Sequence, residues 1–214
     1  MKKVLLPVLM VVLSLSYSTV FAGSIGAGLG LGSASFLEED VTMLPKTVSG
    51  MLSMDLSDNV MVRGSIGFAY TSMHEERTPV TGAKSTEDNR LIGFPIELEF
   101  LPFFTRDEGR VRIYPGAGFG FYHYSYKHKT KYGNTSMEPP TEHYSGFGQF
   151  FVLGLEAQLA ENLSLFSEWS KMTFAVMKHS YEETDYLGNK IAKVQEDVIP
   201  FKYGIRFGVR MSLF

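Results

Sequence analysis

Bulky apolar residues recur at every second position through most of the chain, with polar or very small residues between them. From Val111 to Tyr126, Val111, Ile113, Pro115, Ala117, Phe119 and Phe121 take one parity, and Arg112, Tyr114, Gly116, Gly118, Gly120, Tyr122 and Tyr124 the other. A period of two is the signature of a β-strand with two unlike faces. The same alternation runs through Arg90 to Phe104, Val60 to Ser72 and Phe201 to Phe214, and in weaker form through Ser24 to Ser35, Val48 to Leu56, Ser145 to Leu159 and Leu163 to Lys178. Eight strands are therefore predicted and no helix. In the seventh, Leu163, Leu165 and Trp169 share a parity that Phe174 and Val176 leave, which predicts a bulge near Lys171.

The connections alternate in length. Leu56 to Asn59, Thr105 to Gly109 and Ala160 to Asn162 are short, whereas Leu37 to Thr47, Met73 to Asn89, Lys127 to Glu142 and His179 to Val194 are long and polar. An even number of antiparallel strands, with tight turns at one end and long loops at the other, predicts an all-β, eight-stranded up-and-down transmembrane barrel. A soluble sandwich or lipocalin would also alternate, but its charges would face water and its Phe-rich face a second sheet.

Before the first strand, Met1-Lys2-Lys3, an apolar run from Val4 to Leu15 and the sequence Val20-Phe21-Ala22 have the layout of a secretory signal peptide. Cleavage after Ala22 would leave residues 23–214 as one barrel domain. That segment carries two Lys and no acid, so 18 basic and 23 acidic side chains would remain, a formal charge of -5. The charge excludes a basic nucleic-acid binder, and the absence of cysteine excludes disulfides, thiolate metal sites and thiol nucleophiles.

The inward parity carries Asp55, Glu97, Glu99, Glu156 and Glu168 against Arg63, Arg112, Lys202, Arg206 and Arg210. Five acids match five bases, and the expectation is a single belt of ion pairs across the turn-side half of the lumen. Such a belt serves either as structural glue or as a gate whose pairs exchange partners. Glycine on the inward parity, as in Gly26, Gly28, Gly30 and Gly32, relieves crowding in a narrow barrel. That run lacks the spacing and the following helix of a phosphate-binding loop.

The glycine-alternating first strand, the run Tyr114 to Tyr122, the start of the seventh strand at Leu163 to Glu168 and the closing Gly204 to Phe214 resemble the small bacterial outer-membrane β-barrel family with OmpA-transmembrane-domain, OmpX and OmpW type members. The resemblance covers the whole mature chain. It implies export, insertion by the outer-membrane assembly machinery, residence among outer-membrane lipid and lipopolysaccharide, and a monomer. It also implies recognition of a terminal aromatic, which Phe214 supplies with one departure: Leu213, Met211 and Val209 share the outward parity and Phe214 does not. Functions in the family include adhesion, envelope stabilisation, passage of small compounds and lipid modification, and fold does not choose among them.

Three patterns carry candidate chemistry. His143-Tyr144-Ser145 is similar to the His-x-Ser element of outer-membrane lipid A deacylases, which gives an enzymatic alternative with His143 as base and Ser145 as nucleophile. Lys127, Lys129 and Lys131 form a basic stretch able to contact lipopolysaccharide phosphates. All five histidines, His74, His123, His128, His143 and His179, lie in or beside long connections; Glu142 or Glu182 could join them at a metal, but no pair has a ligand spacing on a helix. No metal ligands and no cofactor are assigned. The expected function is a non-enzymatic outer-membrane barrel acting through its surface loops or as a narrow conduit.

Overall fold

The computed structural model describes residues 24–38, 41–77, 85–106, 110–132, 135–137, 139–184, 190–195 and 201–213. The expected signal peptide and Phe214 lie outside them. Twelve strands follow in order: β1 (Ile25–Glu38), β2 (Val41–Met43), β3 (Lys46–Ser57), β4 (Val60–Arg77), β5 (Ser85–Pro102), β6 (Phe104–Arg106), β7 (Val111–Tyr132), β8 (Thr135–Met137), β9 (Glu142–Ala160), β10 (Leu163–Thr184), β11 (Lys190–Gln195) and β12 (Phe201–Ser212). Eight of them, β1, β3, β4, β5, β7, β9, β10 and β12, pair antiparallel with their neighbours, and β1 closes the ring on β12.

The register fixes the shape of this ring. Pairing leads from Ile25 through Met54, Val62, Phe100, Ala117, Phe151 and Lys171 to Tyr203, whose backbone N–H donates to Ser35 Oγ, so one circuit climbs ten residues along β1. A stagger of that size in eight strands tilts them by about 40° and sets the bore.

The faces are inside out relative to a water-soluble domain. Leu29, Leu52, Ile66, Leu98, Phe119, Phe147, Leu165 and Phe207, one from each ring strand, are 43–66% exposed, while Arg63, Glu99, Glu156 and Glu168 are at most 4% exposed. An apolar belt around the full circumference with charges in the interior is the arrangement that lipid demands.

Inward glycines receive aromatic rings from the adjacent strand: Gly93 stands opposite Tyr124, Gly154 opposite Tyr114 and Gly208 opposite Phe166. A Cβ on Gly93 would lie 2.0 Å from Tyr124 Cδ1, and one on Gly154 2.1 Å from Tyr114 Cε2. These positions need the missing side chain for space.

One expectation changes. Most of the residues expected in the second, third and fourth long loops are strand: β4 and β5 continue to Arg77 and from Ser85, β7 reaches Tyr132, and β10 reaches Thr184 and pairs with β11. The alternation there is of polar with polar residues, which hydrophobic patterning cannot detect. The bulge expected near Lys171 is present between Met172 and Phe174, and the Thr173 hydroxyl there donates to the Gln149 carbonyl at 3.2 Å.

Candidate functional site

The lumen is filled in layers. Met61, Leu101, Phe103 and Tyr114 toward the turn end form one apolar cluster with Phe150 and Val152 from the middle of β9. At the loop end Phe36, Met43, Leu91, Tyr124, Tyr126, Tyr144 and Met177 belong to a second, in which Phe36 meets Tyr144 edge-on at 5.3 Å.

The charges form two networks rather than the single belt expected from the sequence. In the first, Arg63 and Arg206 alternate with Glu99 and Glu168 around a closed ring. Arg63 Nε donates to Glu99 at 2.7 Å and its guanidinium meets Glu168 at 2.5 Å; Arg206 meets Glu99 at 2.5 Å and Glu168 at 2.8 Å. Arg63 and Glu99 sit on β4 and β5, and Glu168 and Arg206 sit across the barrel on β10 and β12, so the ring braces opposite walls. Tyr114 donates to Glu168 at 2.7 Å, and Glu97 accepts from Arg206, Ser65 and Tyr122 at 3.1–3.2 Å. The second network joins Asp55 to Arg112 and Arg210 at 3.2 Å, and Arg210 to Glu156 at 3.1 Å, with Ser53 accepting from Arg210 at 2.8 Å. Among the described residues no buried side-chain nitrogen or oxygen lacks a partner. Burying ions costs several kcal/mol each, and only such complete pairing offsets it.

Lys202 stands apart. It begins β12 at the loop end, not in the turn-side half, and is exposed, with no ion pair among the described residues. Its parity is inward, but parity says nothing about height along the barrel. It lines a cavity of about 90 Å³ together with Ser49, Ser65, Pro95, Glu97 and Tyr122.

Beyond the lipid belt the hairpins carry the remaining candidate chemistry. On β7, Lys127, Lys129 and Lys131 face outward and stand opposite Arg90, Asp88 and Thr86 of β5. Asp88 Oδ1 lies 2.5 Å from His74 Nδ1. The hydrogen bond to Asp88 raises the His74 imidazole above its ordinary value, and the same bond lowers the Asp88 carboxyl.

A family model for the outer membrane protein beta-barrel domain matches residues 4–209. The chain belongs to that family. Nothing among the curated proteins matches it. Among solved structures it is similar to a major outer membrane protein from Thermus thermophilus, with 17% identity, TM-score 0.53 and coverage of 90% of this chain and 100% of that one. It is also similar to the outer membrane protein OprG from Pseudomonas aeruginosa, with 12% identity, TM-score 0.53 and coverage of 90% and 96%. At such identities the likeness carries the fold.

In this outer-membrane barrel His143 and Ser145 both lie on the outer wall of β9, but the His143 ring does not hydrogen-bond Ser145. Its Nδ1 is 3.0 Å from Ser125 Oγ, and the ring stacks with His123 at 6.0 Å between centroids. Glu142, the nearest acid in sequence, has the inward parity and is held by His179 at 2.7 Å and Tyr144 at 3.2 Å. All five histidines are on strands, and no group of three potential metal ligands occurs among the described residues. Sequence reasoning passed over Tyr114, Tyr122 and Ser53, which complete the charge networks. Their inward parity was the available signal.

Proposed function

We propose that this protein is a closed outer-membrane barrel that acts through its surface hairpins and has no through-channel. The observation that carries the reading is the Arg63–Glu99–Arg206–Glu168 ring, braced between opposite walls and sandwiched by apolar clusters at both ends. Water and ions crossing the lumen would have to break buried pairs and displace packed rings, each step costing several kcal/mol. The protein folded into planar bilayers is expected to give no steady unitary conductance. Regular ion-selective steps that Arg206→Gln alters would refute the reading.

Export through a signal peptide at residues 1–22, insertion by the assembly machinery, contact with lipopolysaccharide and a monomeric state belong to the same proposal. The monomer is supported by a ring that closes within one chain, leaving no ring strand short of a neighbour.

One observation favours a second reading, a side entry for small apolar solutes. The β4–β5 pairing is interrupted between Ile66–Ile96 and Ala69–Gly93, where Pro95 supplies no N–H. Phe68 and Phe94 cover the interruption from outside at 5.4 Å, and the lumen cavity lies behind Pro95 and Gly67. The enzymatic alternative with His143 and Ser145 has the weaker support, because His143 is engaged by Ser125 and has no carboxylate partner among the described residues. Lipid A from expressing cells is expected to keep all its acyl chains.

A further inference from the structure

On the outer wall Arg90 of β5 stands directly opposite Lys127 of β7. Both are exposed, and neither has a hydrogen-bond or ion-pair partner among the described residues. Two cations at directly opposed cross-strand positions repel one another. The neighbouring pair does not share the problem, since Lys129 stands opposite Asp88. Asp88 is the next residue on this face of β5, and His74 already engages its carboxylate at 2.5 Å. The repulsion is thus confined to one pair of positions.

Those positions coincide with the upper edge of the lipid belt. Two residues below Arg90 on the same face is Ile92, followed by Phe94 and Ile96; below Lys127 come Ser125, His123 and Phe121. Ser72 stands opposite Arg90 on β4, and Ser125, whose Oγ contacts His143, stands opposite Ile92. Two cations flanked by two hydroxyls, at the level where acyl chains end and headgroups begin, fit a phosphate that belongs to the lipid.

We propose that Arg90 and Lys127 form a binding site for a phosphate group of lipopolysaccharide on the outer wall of the barrel. The inference rests on the function proposed above, in which the long hairpins are the surface end of the barrel and so lie on the outer-leaflet side. The bound phosphate removes the cross-strand repulsion and ties β5 and β7 together above the membrane. Lys129 stands beside Asp88 and Lys131 beside Thr86, so of the three lysines only Lys127 belongs to the site.

The test is the thermal midpoint of the folded full chain in zwitterionic detergent, read by heat-modifiable gel mobility, with added bisphosphorylated lipid A, fully dephosphorylated lipid A or inorganic phosphate. Bisphosphorylated lipid A is expected to raise the midpoint. The variant Arg90→Gln/Lys127→Gln is expected to need about thirtyfold more of it, the effect of losing two basic contacts. Lys129→Gln/Lys131→Gln is expected to respond like the unmodified protein. Lys127→Glu supplies Arg90 with an internal partner, so it is expected to melt higher than the unmodified protein without lipid and to gain nothing from lipid A. The proposal is overturned by equal responses of the unmodified protein and Arg90→Gln/Lys127→Gln, by equal stabilisation from dephosphorylated lipid A, or by inorganic phosphate acting at the same concentration. None of these outcomes bears on conductance, so the closed-lumen reading and this one stand or fall separately.

Discussion

Replacing Arg206 with glutamine examines the interior where it is most dependent on one residue. The Arg206 side chain is 15% exposed and meets three carboxylates, Glu97 at 3.1 Å, Glu99 at 2.5 Å and Glu168 at 2.8 Å. After the substitution three acids face one guanidinium, that of Arg63. Removing one partner of a buried ion pair costs about 3–5 kcal/mol, because the other charge stays buried. Glutamine keeps two N–H donors, so the lower end applies, about 3 kcal/mol, or roughly a hundredfold in the unfolding equilibrium. Adding Glu97→Gln restores the original net charge of the network, and the double variant is expected to recover about 1–2 kcal/mol of that loss. Urea unfolding in lipid vesicles measures this through Trp169, the one tryptophan of the chain, which lies on the outer wall 6.1 Å from Tyr203 and so reports lipid contact. A loss below about 1 kcal/mol, the range of solvated pairs, would mean that the lumen is hydrated, and the closed-barrel reading would fall with it.

Gly154→Ala places a Cβ 2.1 Å from the Tyr114 ring and should cost about 1–3 kcal/mol in the same urea assay. Gly64→Ala, with nothing within 4 Å, should stay within about 0.5 kcal/mol; equal effects would refute the ring-over-glycine packing. For the exposed His74–Asp88 pair, the raised imidazole contributes stability that is complete below the ordinary histidine value and lost as pH rises through its folded value. The lowered carboxyl contributes above the ordinary aspartate value and loses it as pH falls through its own folded value, so the pair is strongest from about pH 4 to 6.5. In an NMR titration Asp88→Asn should lower the His74 midpoint, and an unmoved midpoint would show that the bond is absent in solution.

The eight ring strands were legible because one face of each meets lipid and the other a crowded lumen, which writes a strict period of two into segments such as Val111 to Phe121. Above the lipid that contrast vanishes. Glu75, Glu87 and Lys129 lie on strands whose two faces are both polar, and only cross-strand pairing reveals them. Alternation also placed Arg63, Glu99, Glu168 and Arg206 on the inward face, but their grouping depends on stagger, a property of the closed ring and not of any strand. The same limit explains Lys202, whose inward parity was readable while its height at the loop end was not. His143 and Ser145 share a face as the spacing implies, yet the strand next door supplies the partner, Ser125.

The stagger also bears on why so many polar groups occupy the lumen. For a given number of strands, a larger stagger widens the bore, and a wider bore must be filled or flooded. Here it is filled by long side chains reaching across: Tyr114 of β7 to Glu168 of β10, and Arg206 of β12 to Glu97 and Glu99 on the opposite wall. Apolar residues alone could fill that volume at lower electrostatic cost. They would, however, make the inward face as oily as the outward one, and a strand with two oily faces can slip by one residue without penalty. A one-residue slip of β12 would instead carry Arg206 and Arg210 into lipid and Phe207 and Val209 into the ion-pair rings. The buried charges thus fix the register of closure, and the specificity they confer on the barrel leaves the hairpins beyond the membrane as the part of the molecule free to act on something else.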